Sequence, residues 1–151
     1  MNMNINENPN VNAEKVWFSL IIWGFFQAQE TLFVTVHEAK GLPGGDLPDP
    51  PDPYVKMYLL PDRSKKSKRK SDAKKDTVTP VYDENFQYEI ASSKLHSEEL
   101  EVSVVDRKGI FSRRSTMGRV VVGMYWVIAL YIFGRLKKRR SISLSFFGGL
   151  G

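Results

Sequence analysis

The chain has 151 residues, and its 42% hydrophobic content is enough for one domain with a single core and short flanking segments. Its 22 lysine and arginine residues outnumber its 17 acidic residues, and the net charge of +5 favours an anionic partner, either a lipid surface or a nucleic acid. It has no cysteine, which excludes disulfide frameworks, thiolate metal sites and thiol catalysis and fits a reducing compartment.

The N-terminal part of the chain differs in composition from the rest. Residues 1–14 are polar, rich in asparagine and aperiodic, which is typical of a disordered leader. Val16–Phe26 is apolar but well short of the roughly 20 residues that a membrane-spanning helix needs. We therefore expect residues 1–29 to lie outside the domain, with the apolar run resting on the domain or on a membrane interface. A membrane anchor or a secretory signal is the alternative.

From Thr31 onward, short segments alternate apolar and polar residues, which is the period of half-buried strands. Glycine- and proline-rich breaks separate them, and no segment has a convincing helical period. The pattern predicts an all-β, antiparallel sandwich. The clearest strand candidates are Thr31–His37, Tyr54–Leu60, Phe86–Ile90, Leu100–Val104 and Val120–Val122.

The order of motifs between Thr31 and Val122 resembles that of a C2 domain. Asp52-Pro53-Tyr54-Val55-Lys56 leads into Tyr58-Leu59-Leu60-Pro61-Asp62, and Thr79–Phe86 is similar to the family's Asn-Pro-x-aromatic-Asn-Glu-x-Phe segment. Leu100–Asp106, followed by Met117–Val120, resembles the strand, third loop and next strand of the family. The C-terminal C2 domain of extended synaptotagmins is the most similar, and the synaptotagmin-like and protein kinase C types are close competitors. The resemblance implies an eight-stranded sandwich over residues 30–124.

The C-terminal residues depart from the family pattern. A C2 domain continues after Val122 to a connection and a last strand, whereas Val120–Gly134 is an almost unbroken apolar run followed by a cluster of basic residues. We expect residues 125–151 to be a divergent tail whose final strand is irregular or missing. A membrane-embedded tail with a cationic cytoplasmic flank is the alternative.

The resemblance also implies a calcium site, which this sequence satisfies only in part. Asp46 and Asp52 fall on first-loop ligand positions, and Asp106 falls on the first ligand position of the third loop. The next ligand position holds Lys108, whose positive charge opposes that of a bound Ca²⁺. We therefore expect no cofactor, and a functional calcium site is the alternative.

A dense run of basic residues lies between Arg63 and Lys75, with a single acidic residue inside it. Alternate residues of a strand share a face, so lysines two apart project together. The resemblance places Tyr54, Lys56, Lys68 and Lys70 on phosphoinositide-binding positions, with Lys65 and Lys66 beside them in the sequence. A solvated, flexible hairpin tip is the alternative. In the third loop, Ile110 and Phe111 form an apolar tip between basic residues, which suits either shallow membrane insertion or an ordinary exposed loop.

These observations predict a peripheral membrane-binding module for anionic phospholipids that needs no calcium. By resemblance, it would be cytoplasmic and membrane-associated, at the periphery of the endoplasmic reticulum or plasma membrane, and would serve in tethering or lipid transfer. A C2 domain that binds an acidic protein partner, or calcium-dependent phospholipid binding, is the alternative. We expect no enzyme, because neither His37 nor His96 has a nucleophile motif nearby, and no nucleic-acid partner, because interleaved aromatics and a recognition helix are missing from the sequence.

Overall fold

The computed structural model describes residues 16–26, 29–109, 116–125 and 142–148 of the chain. These residues form two four-stranded antiparallel sheets, with strand orders β5-β2-β1-β8 and β4-β3-β6-β7. The predicted all-β antiparallel sandwich is therefore confirmed. The strands are β1 (Val16–Phe26), β2 (Thr31–Lys40), β3 (Pro53–Leu60), β4 (Arg69–Lys70), β5 (Val81–Glu89), β6 (Glu99–Asp106), β7 (Thr116–Gly123) and β8 (Ile142–Gly148).

The core lies between the two sheets and follows from the alternation of the strands. In β3, Val55 and Met57 are fully buried, whereas the intervening Tyr54 and Lys56 are only partly covered. Burying an aliphatic side chain of this size stabilises the fold by roughly 1.5–3 kcal/mol. The same core cluster takes Leu32, Val34 and Val36 from β2, Tyr82 and Tyr88 from β5, and Leu100, Val102 and Val104 from β6.

The apolar run Val16–Phe26 belongs to the sandwich, so its expected placement outside the domain is wrong. It forms β1, which pairs antiparallel with β2 on one side and with β8 on the other. A short continuous apolar run is consistent with a strand as well as with a membrane-associated segment, because periodicity alone does not separate the two. Composition alone does not separate this case from a membrane-associated segment.

The last strand of the sandwich is present and regularly paired. Residues of β8 pair with β1 from Ile142 opposite Ile22 to Gly148 opposite Val16, without a register shift. The expectation of an irregular or missing final strand is therefore wrong. The rest of the expected tail, residues 126–141 and 149–151, lies outside the described residues, as do residues 1–15, which include the polar leader.

Candidate functional site

Residues 67–71, which include the short edge strand β4, alternate between the inside and the outside of the sheet edge. Ser67 and Ser71 are buried, and their hydroxyls accept hydrogen bonds from the amides of Leu59 and Val55 in β3, at 2.7 and 2.8 Å. The serines therefore hold an edge that has only two paired residues in β4. Because neighbouring residues of an extended chain point to opposite sides, the intervening Lys68 and Lys70 project outward.

A row of polar and basic residues crosses the outer surface of the β4-β3-β6-β7 sheet. Lys70 lies opposite Lys56, Lys56 opposite Ser103, and Ser103 opposite Arg119. Residues directly opposite each other on paired strands share a face, so the three cations belong to one surface. Adjacent strands lie about 4.8 Å apart, and the row therefore spans roughly 14 Å. We call this surface the basic face, and its cationic residues are Lys56, Arg63, Lys68, Lys70 and Arg119.

Two tyrosines of β3 support the cations of the basic face. The ammonium nitrogen of Lys70 lies 5.3 Å from the ring centroid of Tyr54, and that of Lys68 lies 5.9 Å from the ring centroid of Tyr58. Arg63 approaches the Tyr58 ring at 5.9 Å. Such cation–π contacts orient a side chain without neutralising its charge. Lys68 and Lys70 are therefore positioned over the sheet, and their positive charges are available to a ligand.

The basic face contains one buried carboxylate, that of Glu101. Arg63 donates two hydrogen bonds to its two oxygens, each at 2.9 Å, and Nε of Arg119 lies 3.4 Å from Oε2. The hydrogen bonds to Glu101 raise the pKa of Arg63 above its usual value. Since two arginines surround a single carboxylate, the pairing leaves the basic face with excess positive charge.

The family resemblance predicts Tyr54, Lys56, Lys68 and Lys70 for this surface, and the structure brings these four residues together. Arg63, Tyr58 and Arg119 were not among the predicted site residues. Arg119 is distant in sequence and reaches the face only through the register of β6 and β7, which no local pattern reveals. The alternation of the strand already places Tyr58 on the same face as Tyr54 and Lys56, and this signal indicates Tyr58 as a further residue of the surface.

Other basic residues of the same segment do not lie on the basic face. Arg69 stacks over the Tyr88 ring at 4.6 Å, and its Nε donates to the Gln87 carbonyl of β5 at 3.1 Å. Lys65 and Lys66 lie exposed in the turn between β3 and β4. Lys66 also lines a cavity of about 640 Å³ at this end of the sandwich. The basic segment is therefore distributed over three parts of the surface.

The opposite end of β3 carries the predicted calcium residues. Asp52 and Asp106 are buried side by side, and the amide of Asp52 donates to Oδ1 of Asp106 at 3.0 Å. Asp46 is exposed. Within the described ranges, which omit residues 110–115, no group of three or more histidine or acidic side chains is arranged to hold a metal ion. Ile110 and Phe111, the predicted apolar tip, lie outside the described residues.

Asp52 is held as a carboxylate by its neighbours. The backbone amide of Asp76 donates to Oδ1 at 3.0 Å, and Arg107 donates to Oδ2 at 2.6 Å. These donors, led by the Asp76 amide and assisted by Arg107 and Lys108, lower the pKa of Asp52 to about 2 despite its burial. Asp52 is therefore an ionised carboxylate, paired with Arg107 and the Asp76 amide, at neutral pH.

Comparison with known proteins identifies the family of this fold. The family model for the C2 domain matches residues 30–127. Synaptotagmin-9 from Rattus norvegicus is 40% identical over 100 residues, covering 66% of this chain and 20% of that protein. Extended synaptotagmin-1 from Homo sapiens is 34% identical over 102 residues, covering 67% of this chain and 9% of that protein. The crystal structure of a C2 domain of RIM from Drosophila has 27% identity and a TM-score of 0.71, covering 89% of this chain and 98% of that one.

This chain spans about a fifth of the length of the synaptotagmin it matches. Among the residues that the structure describes, no helix is both long and apolar enough to cross a membrane. The sequence motifs, the two antiparallel sheets and the match over residues 30–127 agree with one another. The chain belongs to the C2 domain family and has relatives among the synaptotagmins and extended synaptotagmins.

Proposed function

We propose that this chain is a peripheral membrane-binding module that recognises anionic phospholipids, and phosphoinositides in particular, through its basic face. The observation that carries the proposal is the row in which Lys70, Lys56 and Arg119 share one surface across four strands. A multiply phosphorylated headgroup accepts hydrogen bonds from several cations at once, and planar guanidinium groups bind phosphate oxygens in pairs. A regular sheet surface holds these donors at fixed spacing, which a flexible lysine-rich loop would not do.

The charge balance of the basic face supports an anionic ligand. It combines five cationic side chains with one buried carboxylate, that of Glu101, which is already paired with two of them. Each basic residue near an anionic membrane surface contributes about 1 kcal/mol of attraction. Among the described residues, the ring contacts and cross-strand neighbours of Lys56, Lys68 and Lys70 include no carboxylate, so these lysines are the main source of that attraction.

A charge-reversal experiment tests the role of the basic face. Cosedimentation with vesicles that contain phosphatidylinositol bisphosphate is measured for the chain and for the variant Lys68→Glu/Lys70→Glu, at physiological salt. We expect binding to fall about 30-fold or more, because two attractive charges become repulsive. The matched control is Lys74→Glu/Lys75→Glu, which makes the same change in net charge within the same basic segment. Lys74 lies near the Tyr82 ring and Lys75 is 80% exposed beside Asp76, so neither belongs to the basic face.

Two outcomes would contradict this proposal. Unchanged cosedimentation of the Lys68→Glu/Lys70→Glu variant would remove the basic face from the binding site. Equal losses for both double variants would mean that net charge, rather than the arrangement of Lys68 and Lys70, governs the attraction.

A second candidate function is the binding of an acidic protein partner. The pairing of Glu101 with Arg63 and Arg119 favours it, because it shows that carboxylates fit this surface. Under this alternative, the chain binds an acidic polypeptide in solution and cosediments only weakly with vesicles. Competition between polyglutamate and the phosphoinositide vesicles separates the two candidates. If the basic face is selective for lipid, the chain still cosediments with the vesicles in excess polyglutamate. If it binds acidic polypeptides, polyglutamate displaces the chain from the vesicles.

The proposed location is the cytoplasmic surface of the endoplasmic reticulum or the plasma membrane. Because the chain spans only part of its relatives, a role in tethering two membranes or in lipid transfer would belong to the larger protein of which such a domain forms a part. Binding without calcium is the remaining component of the proposed function, and the contacts of Lys108 support it.

A further inference from the structure

The side chain of Lys108 lies among oxygen atoms at the end of the sandwich where β3 begins. Its ammonium nitrogen is 2.6 Å from Oδ1 of Asp49, 2.7 Å from the carbonyl oxygen of Pro50 and 2.5 Å from Oδ1 of Asp76. Oδ1 of Asp52 lies 3.4 Å away. We call this group of side chains the Lys108 cluster. It joins the β2–β3 connection, the β4–β5 connection and the residues that follow β6.

The backbone after β6 directs Lys108 into this position. The amides of Asp52 and Lys108 both donate to Oδ1 of Asp106, each at 3.0 Å. Gly109 follows with a φ of +68°, a left-handed conformation that glycine adopts without steric cost. The chain therefore turns immediately after Lys108, and the carboxylate of Asp106 fixes the start of that turn.

The Lys108 cluster does not fit a calcium ion. Ca²⁺ requires roughly 6–8 oxygen ligands at about 2.3–2.6 Å. Here the facing oxygens of Asp49, Asp52 and Asp76 surround an ammonium group, and the other oxygen of Asp52 accepts a hydrogen bond from Arg107 at 2.6 Å. A divalent ion among these oxygens would stand next to two fixed positive charges. Asp52, one of the ligand positions that the family resemblance implies, is therefore already paired with two internal cations.

We propose that the ammonium group of Lys108 is a built-in cation that takes the place of a metal ion and holds the three chain segments of the cluster together. Lys108 supplies one positive charge and three N–H donors, which meet carboxylate and carbonyl oxygens from two other segments. Because the cation is covalently attached, the contacts of Lys108 with the two other segments of the cluster form at any calcium concentration. This role of the Lys108 cluster does not depend on whether the basic face binds lipid.

Thermal unfolding of Lys108→Met tests the structural half of this proposal. Methionine keeps an unbranched side chain of similar length but leaves Asp49, Asp52 and Asp76 without their shared cation. We expect the unfolding midpoint to fall by about 4 °C or more. The control is Lys75→Met, which removes one charge next to Asp76 from a side chain that is 80% exposed, and we expect a shift below about 1 °C. Equal midpoints for Lys108→Met and the unaltered chain would overturn the proposal.

A local measurement separates this role from a general loss of stability. Hydrogen exchange at the amides of Asp76 and Arg107 reports the two segments that meet at Asp52. We expect at least a roughly fivefold faster exchange at these amides in Lys108→Met, with unchanged exchange at the amide of Met57 in the sheet. Unchanged exchange at Asp76 would contradict the proposal even if the variant were less stable overall.

Calcium titration tests the second part of the proposal, that the ammonium group of Lys108 takes the place of a metal ion. By calorimetry, we expect the unaltered chain to show no calcium site tighter than about 1 mM. The variant Lys108→Asp replaces the internal cation with a carboxylate that can act as a calcium ligand, and we expect it to bind calcium saturably. Lys108→Gln is the control, because it removes the charge without adding a carboxylate ligand. A micromolar isotherm for the unaltered chain would overturn the proposal. Failure of a folded Lys108→Asp chain to bind calcium would refute the claim that Lys108 occupies a metal position.

Discussion

The basic face and the Lys108 cluster both contain clustered cations, and they use them in opposite ways. On the basic face, two of the five cations pair with the one buried carboxylate, and Lys68 and Lys70 lie over tyrosine rings that leave their charge available. In the Lys108 cluster, Lys108 and the neighbouring Arg107 pair with three carboxylates, so both positive charges are balanced inside the molecule. The difference lies in pairing rather than in the number of basic residues, and pairing determines which cluster can attract an external anion.

Replacing one lysine of the basic face and one lysine of the Lys108 cluster gives the largest expected difference between the two regions, in vesicle binding and in thermal stability. Lys56→Gln removes the central cation of the basic face, and we expect about fivefold weaker binding to phosphoinositide vesicles with little change in the unfolding midpoint. Lys108→Gln makes the same charge change, and we expect a lower midpoint with less than about twofold change in vesicle binding. Vesicle cosedimentation and thermal unfolding of both variants check this. The comparison fails if both lysines affect the same property.

A smaller effect is expected from the carboxylate of the basic face. Glu101→Gln releases Arg63 and Arg119 from a charged partner, so we expect about threefold to fivefold tighter binding to the same vesicles, together with a lower unfolding midpoint. Glu99→Gln is the matched control, because Glu99 is exposed on the same strand and is not paired with the arginines. Equal gains for both variants would mean that net charge alone controls binding.

The smallest expected effect is the acid sensitivity of the Lys108 cluster. The folded chain holds the pKa of Asp52 at about 2, below its ordinary 3.8, so the folded state binds fewer protons than the unfolded state between these values. The contribution of Asp52 to stability is therefore complete above about pH 4 and is lost as the pH falls toward about 2. We expect the urea midpoint to decline over this range, and to decline less in Asp52→Asn. An equally steep decline in Asp52→Asn would assign the acid sensitivity to other carboxyl groups.

Most of the basic face could be predicted from the sequence, because its signal is local. The alternation of β3 places Tyr54 and Lys56 together, and the spacing of Lys68 and Lys70 gives them a common direction. The contribution of Arg119 could not be predicted in this way, since it depends on the register between β6 and β7. That these residues bind lipid stays a prediction.

The contacts of the Lys108 cluster could be predicted from the sequence only in part. The sequence identifies Lys108 as a residue that opposes calcium, but its contacts with Asp49 and Asp76 come from irregular connections that have no periodicity. The wrong placement of Val16–Phe26 outside the domain has a different cause. A run without polar alternation has the same composition whether it is covered by protein or by lipid, and only its pairing with β2 and β8 distinguishes the two.

The position of β1 affects where this domain can be cut. The family match begins at residue 30, whereas Val16–Phe26 lies between β2 and β8 in the sheet order. A recombinant fragment that starts at the family boundary would lack the strand that pairs with β8 and would expose the paired edge of β2. Unpaired strand edges are sites of aggregation and domain swapping. Fusion proteins and truncations of this chain should therefore keep Val16–Phe26, and a linker should be attached before it.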